Sequence, residues 1–371
     1  VKTRAAVLFN APGSYETVEL DLEGPRTGEI TVKMVASGLC HSDDHFATGD
    51  IPAGTYPMCG GHEGSGVVVE VGPSTPGWAE GDHVVLGFIP SCGRCRWCAD
   101  GKQNLCDLGA NMLVGSRFED TASFRMALDG QPVGQMCGIS TFSEYTTVSV
   151  NSVVKVDKDI PLAPLCLLGC CVGTGWGAAV HTANLGPNDT VIVMGVGGIG
   201  ASALQGAALA GARNIIAVDP VAFKRGEATD FGATHVCADI NEASEIARSF
   251  TGGQGADAVI VTVGVTTGEH IGQAIAAVRK DGTVVSVGVG PATTLQVPIN
   301  LLELTMSQKR LVGALYGQRG PFATIPKLAA LYAAGSLKLD EMITTTYTLD
   351  QVAEGYKDMH AGHNIRGVVE F

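Results

Sequence analysis

Val191-Ile-Val-Met-Gly195-Val-Gly197-Gly198-Ile-Gly200 decides the fold of this 371-residue chain. An apolar run stops at Met194, and Gly195, Gly197 and Gly200 then fall in the spacing G-x-G-x-x-G. In a strand–turn–helix setting the first glycine makes the tight turn and the second lets backbone approach a pyrophosphate. The third packs the helix onto the strand. N–H groups at the helix start, Gly198 among them, then face the phosphates. Asp219 lies 19 residues beyond Gly200, where the next apolar run ends. A carboxylate there bonds a ribose 2′-hydroxyl and repels a 2′-phosphate, so the expected ligand is NAD rather than NADP. Val191 to Ala212 carries no charge over 22 residues, enough to cross a bilayer, but its glycines cluster at the start. A strand, a turn and a buried helix fit it better than a membrane span.

Outward from this turn, Thr190–Met194, Asn214–Val218, Ala258–Val263 and Thr283–Val287 are continuous apolar runs, as strands buried on both faces require. Helical stretches are expected between them at Ile199–Ala210, Ala222–Phe231, Ala243–Ser249 and Gly268–Val278, making a doubly wound parallel sheet. The N-terminal part reads differently. Glu29–Ala36, Val67–Val71, Asp82–Gly87 and Thr141–Val148 are short β-rich runs divided by Gly and Pro. Pro90–Gln135 is rich in Cys, Gly and polar residues and needs something other than secondary structure to hold it. A helix at Ile325–Ala334 precedes a final strand, Ile365–Phe371, expected to return to the first domain. The expected division is 1–173 with 322–371 against 174–321.

Composition narrows the function. The chain is 45% hydrophobic and 16% charged, with 50 glycines and a net charge of −13. Long disordered tails are not expected. Nucleic acid and anionic membranes would be repelled, while a small anionic cofactor can still sit in a locally positive pocket. The apolar stretch near Val1 is too short for a signal-peptide core. Eleven cysteines, an odd number, point to metal ligation and reduced thiols, hence to the cytoplasm.

Cys92, Cys95, Cys98 and Cys106 have the spacing C-x2-C-x2-C-x7-C, a complete tetrahedral shell for a structural zinc. A second set is dispersed: Cys40, His62 and either Cys170 or Cys171. Two thiolates and one imidazole leave a tetrahedral position open for substrate.

The flanking patterns are Cys40-His41-Ser42-Asp43-Asp44-His45, Gly61-His62-Glu63-x-x-Gly66-x5-Gly72 and Gly169-Cys170-Cys171-Val-Gly-Thr174-Gly-Trp-Gly. On these and the cysteine quartet the chain resembles, nearly end to end, the zinc-dependent medium-chain alcohol dehydrogenases. The resemblance implies a β-rich GroES-like catalytic domain beside a Rossmann domain, NAD, and two zinc ions per subunit, one catalytic and one structural. It makes Cys170 the third catalytic ligand, with Cys171 replacing the family's usual glycine. It gives Ser42 the alcohol proton, which His45 passes to solvent through the cofactor ribose. Glu63 and Asp43 tune the zinc and orient His62. Phe88 and Thr174 match positions beside substrate or nicotinamide, Lys224 an adenosine-ribose contact, and Arg366 and His41 pyrophosphate contacts. Many members have Arg where His41 stands. The family forms dimers and tetramers, so a homodimer or homotetramer is expected.

Ile89-Pro-Ser-Cys-Gly-Arg-Cys-Arg-Trp-Cys98, Gly134-Gln-Met-Cys137 and Val218-Asp-Pro-Val-Ala-Phe-Lys-Arg225 resemble a narrower group, the actinobacterial nicotinoprotein alcohol dehydrogenases assayed with NDMA. Its members keep NAD bound and are reoxidised in place by a second substrate or an external electron acceptor. The expected reaction is oxidation of a primary alcohol to an aldehyde, and its reverse. The rival is a glutathione-dependent formaldehyde dehydrogenase with exchangeable NAD, which would need basic residues, Arg117 and Arg125 being available, to hold its acidic adduct. A non-catalytic zinc scaffold would have no use for an open metal position and a proton relay.

Overall fold

The computed structural model describes residues 1–293 and 295–371, which form two compact units. The first comprises Val1–Cys170, Arg319–Ala361 and Arg366–Phe371, and the second Cys171–Gln318 and Gly362–Ile365.

The first unit is built on strands. Lys2–Leu8, Tyr15–Leu22, Met126–Leu128, Gln131–Gln135 and Met58–Cys59 close a small barrel. A second sheet follows the order 153–155, 83–87, 63–71, 29–38, 366–370, 343–347, with Tyr145–Ser149 also pairing to Glu29–Gly38. Val32, Leu86, Phe142 and Val369 are buried at its core, each such side chain contributing roughly 1.5–3 kcal/mol on leaving water. The final strand is Arg366–Glu370, antiparallel to Glu29–Gly38, with Val368 opposite Gly38 and Val369 opposite Ser37. The next residue after that pairing, Leu39, donates its N–H to Gly367 O, so the end of the chain pins the approach to Cys40.

The second unit is a six-stranded, all-parallel sheet in the order 235–237, 214–218, 190–194, 256–261, 278–286, 310–313. That order, with the first strand central, is the doubly wound arrangement expected from the apolar runs. Crossover helices Gly198–Leu209, Ala222–Ala228, Ile240–Phe250 and Gly268–Ala277 lie where the sequence places them. Two of the short edge strands, His235–Cys237 and Arg310–Gly313, carry no alternating or continuous apolar run and escape a reading by periodicity. Among the described residues no helix is long and apolar enough to cross a membrane, and Val191–Ala212 is indeed divided into a strand and a helix by the glycine turn.

Candidate functional site

Cys40, His62 and Cys170, far apart in sequence, converge in the first unit. One ligand atom from each lies within 4.8 Å of the others, and all three residues are buried. Cys40 caps the helix His41–Thr48, and His62 immediately precedes the strand Glu63–Val71. His62 Nδ1 lies 2.9 Å from Asp43 Oδ2, which leaves Nε2 for a metal, and Nε2 is buried with no hydrogen-bond partner among the described residues. A buried ring nitrogen without a partner is costly unless something coordinates it, and two thiols beside it complete a zinc-type donor set. The three residues therefore fit a zinc ion with one tetrahedral position left open. The Cys170 thiol, followed by the His62 ring and Arg366, favours the Cys40 thiolate against burial and holds its pKa well below the usual thiol range. Burial opposes a charged His62, but Asp43 and then Cys40 outweigh it and raise its pKa.

The helix His41–Thr48 organises the surroundings. Asp43 is fully buried, and its second oxygen accepts the Gly61 N–H at 2.8 Å, so one carboxylate fixes both His62 and the turn before it. Asp44 Oδ2 is 2.7 Å from His360 Nε2 on the helix Val352–Ala361. His45 Nδ1 is 3.0 Å from Asp50 Oδ2. Ser42 Oγ lies 3.8 Å from Cys40 Sγ, and the His41 and His45 rings are 6.4 Å apart. Phe88 meets His62 edge to face at 5.6 Å. Glu63 is fully buried and pairs with the equally buried Arg366. Arg366 thus stands beside the metal-ligand strand in the first unit.

The quartet Cys92, Cys95, Cys98 and Cys106 also converges, its four sulfurs within 4.8 Å of one another. Cys95 and Cys106 sulfurs are 4.0 Å apart, close to the roughly 3.8 Å expected for two thiolates at tetrahedral Zn–S distances. Backbone N–H groups of Cys95 and Cys92 donate to Cys92 Sγ and Cys106 Sγ at 3.3 and 3.2 Å. The Asp107 backbone amide brings the Cys95 thiol down to about 6, while burial pushes Cys98 up to about 12. Four donors close this shell, which suits a structural ion and leaves no room for substrate.

The quartet holds only the front of the Pro90–Gln135 region. The rest is tied down by a buried ion cluster absent from the sequence reading. Glu29 Oε1 receives Arg117 Nε at 3.0 Å and Arg125 Nε at 2.9 Å, and Oε2 accepts the Arg26 N–H. Arg125 also bonds Gln135 Oε1 at 3.0 Å, and Arg117 pairs with Glu23 at 3.2 Å. Both arginines are thereby committed to tying the loop to Glu29 at the start of the second sheet's strand Glu29–Gly38.

In the second unit, Gly195 has φ +94°, a backbone conformation that favours glycine. A Cβ at Gly200 would sit 1.9 Å from Gly195 O, whereas one at Gly197 would meet nothing within 4 Å. Gly200 is needed for helix–strand contact. Gly197 keeps open a space that a phosphate would fill, so the turn fits a dinucleotide. It opens the helix Gly198–Leu209, whose first N–H groups have no partners within the helix. Asp219, buried after the strand Asn214–Val218, accepts the Val196 N–H at 2.8 Å and the Val221 N–H at 2.9 Å. Its carboxylate therefore also shapes the glycine turn. Lys224 is half-buried on the helix Ala222–Ala228. Thr174 is buried, and its Oγ1 has no hydrogen-bond partner among the described residues.

Asp50 and His360 were not singled out by the sequence. Asp50 follows Gly49 as an ordinary turn residue, and His360 lies 316 residues from its partner, so no local pattern marks either.

Residues 26–158 match the alcohol dehydrogenase GroES-like domain, and residues 198–334 match the zinc-binding dehydrogenase domain. The chain is 46% identical over 369 residues to the NDMA-dependent alcohol dehydrogenase of Amycolatopsis methanolica, covering 100% of this chain and 99% of that protein. It is 37% identical over 387 residues to the S-(hydroxymethyl)glutathione dehydrogenase of Paracoccus denitrificans, covering 100% of each. The crystal structure of an alcohol dehydrogenase zinc-binding domain protein from Burkholderia ambifaria superposes with a TM-score of 0.92 at 30% identity, covering 100% of this chain and 99% of that one.

Proposed function

The chain belongs to the zinc-dependent medium-chain alcohol dehydrogenases, and on that premise we propose that it oxidises a primary alcohol to an aldehyde, and the reverse, with NAD that stays bound and is reoxidised in place. The observation that carries the chemistry is the convergence of Cys40, His62 and Cys170 as a three-ligand set with one position open. Zinc held there would supply Lewis acidity toward an alcohol oxygen, and bound NAD would supply a hydride acceptor.

The chain's own residues do the rest. Asp43 holds His62 by Nδ1, which keeps Nε2 aimed at the metal position. Ser42, on the first turn after Cys40, receives the hydroxyl proton, and His45 carries it onward. Phe88 walls the site against His62. Arg366 and Glu63 neutralise one another beside the ligands, so neither buried charge stands alone. On the nucleotide side, Gly195, Gly197, Gly198 and Gly200 leave room for the pyrophosphate, and Asp219 takes the ribose hydroxyls. Thr174, Lys224 and His41 are the further cofactor contacts.

Cofactor retention is supported by the 46% identity to the NDMA-dependent relative. The glutathione-dependent reading is disfavoured because Arg117 and Arg125, the two basic residues considered for its acidic adduct, are both engaged by Glu29. An exposed apolar margin on the second unit supports a homo-oligomer. Leu301, Leu302, Met306 and Leu311 are all exposed near the edge strand Arg310–Gly313. All eleven cysteines are free, in keeping with a reducing compartment such as the cytoplasm.

The test is to dialyse the purified protein without cofactor, add a primary alcohol and follow the near-ultraviolet absorbance of reduced nicotinamide. A prompt rise that stops at roughly one equivalent per chain is expected for retained NAD. Continuous turnover only after NAD is supplied would replace retention with free exchange. Turnover only with glutathione and formaldehyde would move the protein to the rival reaction.

A further inference from the structure

The helix His41–Thr48, which starts at Cys40, has eight residues, and its N-cap makes no side-chain capping bond. Isolated helices that short are marginal in water, so its place beside the ligand set depends on what grips it. Two adjacent carboxylates in its first turn reach different parts of the first unit. Asp43 holds Gly61 and His62. Asp44 reaches His360 Nε2 at 2.7 Å. The Asp44 side chain is 9% exposed and that of His360 53%, so a residue from the surface meets a buried acid.

His360 stands on the last turn of the helix Val352–Ala361, whose face of Val352, Gly355, Tyr356 and Met359 is buried. Gly355 lets that face come close, since a Cβ there would sit 2.2 Å from Cδ1 of Leu39, the residue before Cys40. Tyr356 stacks on Tyr15 at 5.7 Å, and Tyr15 OH donates to Asp43 O at 3.0 Å. The Tyr356 hydroxyl is buried with no hydrogen-bond partner among the described residues. That ring therefore contributes packing, while His360, four residues on, makes a directed polar contact. Directly after Ala361 the chain leaves the first unit, Gly362–Ile365 belonging to the second.

We propose that His360 is a positioning residue for the metal centre. Through Asp44 it clamps the helix Val352–Ala361 onto the helix His41–Thr48, and so slows escape of an ion held by Cys40, His62 and Cys170. The inference rests on the reading of those three residues as zinc ligands. Release of the ion requires Cys40 to swing away, and Cys40 is tied to the helix it starts, its carbonyl accepting the Asp43 N–H at 3.1 Å. Without His360, Asp44 is a buried carboxylate short of a partner, which is costly. The turn that carries it, and Cys40 with it, then loosens toward water. His360 touches neither the metal position nor the substrate in this account, and it moves no proton.

The experiment follows zinc release from the holoenzyme into excess chromophoric chelator. It compares the parent with His360→Ala, His360→Phe, His360→Gln, Asp44→Ala and the His360→Ala/Asp44→Ala pair. Release from the Cys40 site is identified by its absence in Cys40→Ser, and release from the quartet by its absence in Cys98→Ser. The unfolding midpoint is measured alongside. His360 is half exposed, so its variants decide the matter even where Asp44→Ala fails to fold. The expected result is release from the Cys40 site roughly tenfold faster in His360→Ala, His360→Phe and Asp44→Ala, the lower end of what partners behind a metal ligand contribute. The quartet should stay within about twofold of the parent, as an internal control in the same molecule. His360→Gln, whose amide N–H can replace the ring donor, should recover most of the parent's retention, and the pair should be no faster than Asp44→Ala. A His360→Ala rate within about twofold of the parent at the Cys40 site overturns the proposal. Equal acceleration at both sites, effects that add in the pair, or no recovery in His360→Gln overturn it in favour of general loss of stability. A parent whose zinc is all lost in Cys98→Ser and all kept in Cys40→Ser overturns the three-ligand reading, and this proposal with it.

Discussion

Glu29→Gln tests whether the arginines of the long loop belong to the scaffold or to the pocket. Glu29 offers one oxygen to two guanidinium groups, at 3.0 Å from Arg117 Nε and 2.8 Å from Arg125 Nη2. All three side chains are at most 7% exposed. Glutamine keeps the shape but removes the charge, leaving two buried cations against a neutral amide. Breaking a buried ion pair by removing one partner costs about 3–5 kcal/mol. Arg117 keeps Glu23 and Arg125 keeps Gln135, so about 3 kcal/mol is expected here. For a unit of this size that is a fall of roughly 6–12 °C in unfolding temperature. Burial works against the charged Glu29, but Arg125, the Arg26 amide and Arg117 outweigh it and lower its pKa. The stability it confers is therefore present above the unfolded carboxylate value of about 4.3 and is lost as pH falls through the lower folded value. Thermal unfolding of parent and variant across the acid range, with limited proteolysis at residues 113–125, reads both effects. Equal stability at neutral pH would refute the reasoning, and decisively so if the variant instead altered turnover of a glutathione adduct.

Gly197 and Gly200 of the nucleotide turn should separate binding from folding. Gly197→Ala meets open space and should unfold within about 1 kcal/mol of the parent while losing NAD by calorimetry. Gly200→Ala, whose Cβ collides with Gly195 O, should cost about 1–3 kcal/mol or more in a denaturant titration. Asp219→Ser gives up two backbone bonds as well as the ribose contact. It should weaken NAD by about 10- to 100-fold, from charged hydrogen bonds of about 1.5–3 kcal/mol, and shift the NADP/NAD preference toward NADP in paired titrations. Cys98→Ser should lower metal content by one equivalent per chain and expose residues 92–111 to protease, with the Cys40 site still loaded. Loss of both metals would show that the two sites are not independent.

The nucleotide half was legible because it is local. Four strands and four crossover helices follow from apolar runs and glycine punctuation, and Thr190–Met194 and Asn214–Val218 appear with the same bounds in the structure. The candidate ligands Cys40, His62 and Cys170 were legible only through flanking patterns, since taken singly they read as buried core, whereas the cysteine quartet showed in its spacing. What escaped was non-local polar pairing. Glu29 reads as the first residue of a strand, and Arg117 and Arg125 as loop cations. Nothing in their spacing says that they meet. The resemblance offers Arg366 as a pyrophosphate contact and says nothing of Glu63, a pairing that depends on the final strand's register with Glu29–Gly38. His360 and Asp50 belong to the same class of partners that only the folded chain brings together.

The return of the final strand to Glu29–Gly38 also sets an order of assembly. On a ribosome, Cys170, the last of the three candidate ligands, is made nearly two hundred residues before the strand Arg366–Glu370. All of the nucleotide unit except Gly362–Ile365 is made by Gln318, and its parallel sheet can fold as it emerges. The strand that pins the approach to Cys40, and the guanidinium that neutralises Glu63, arrive only at Arg366–Glu370. The first unit is thus begun before the nucleotide sheet and closed after it, with the strand Arg366–Glu370 as the latch beside the three-ligand set.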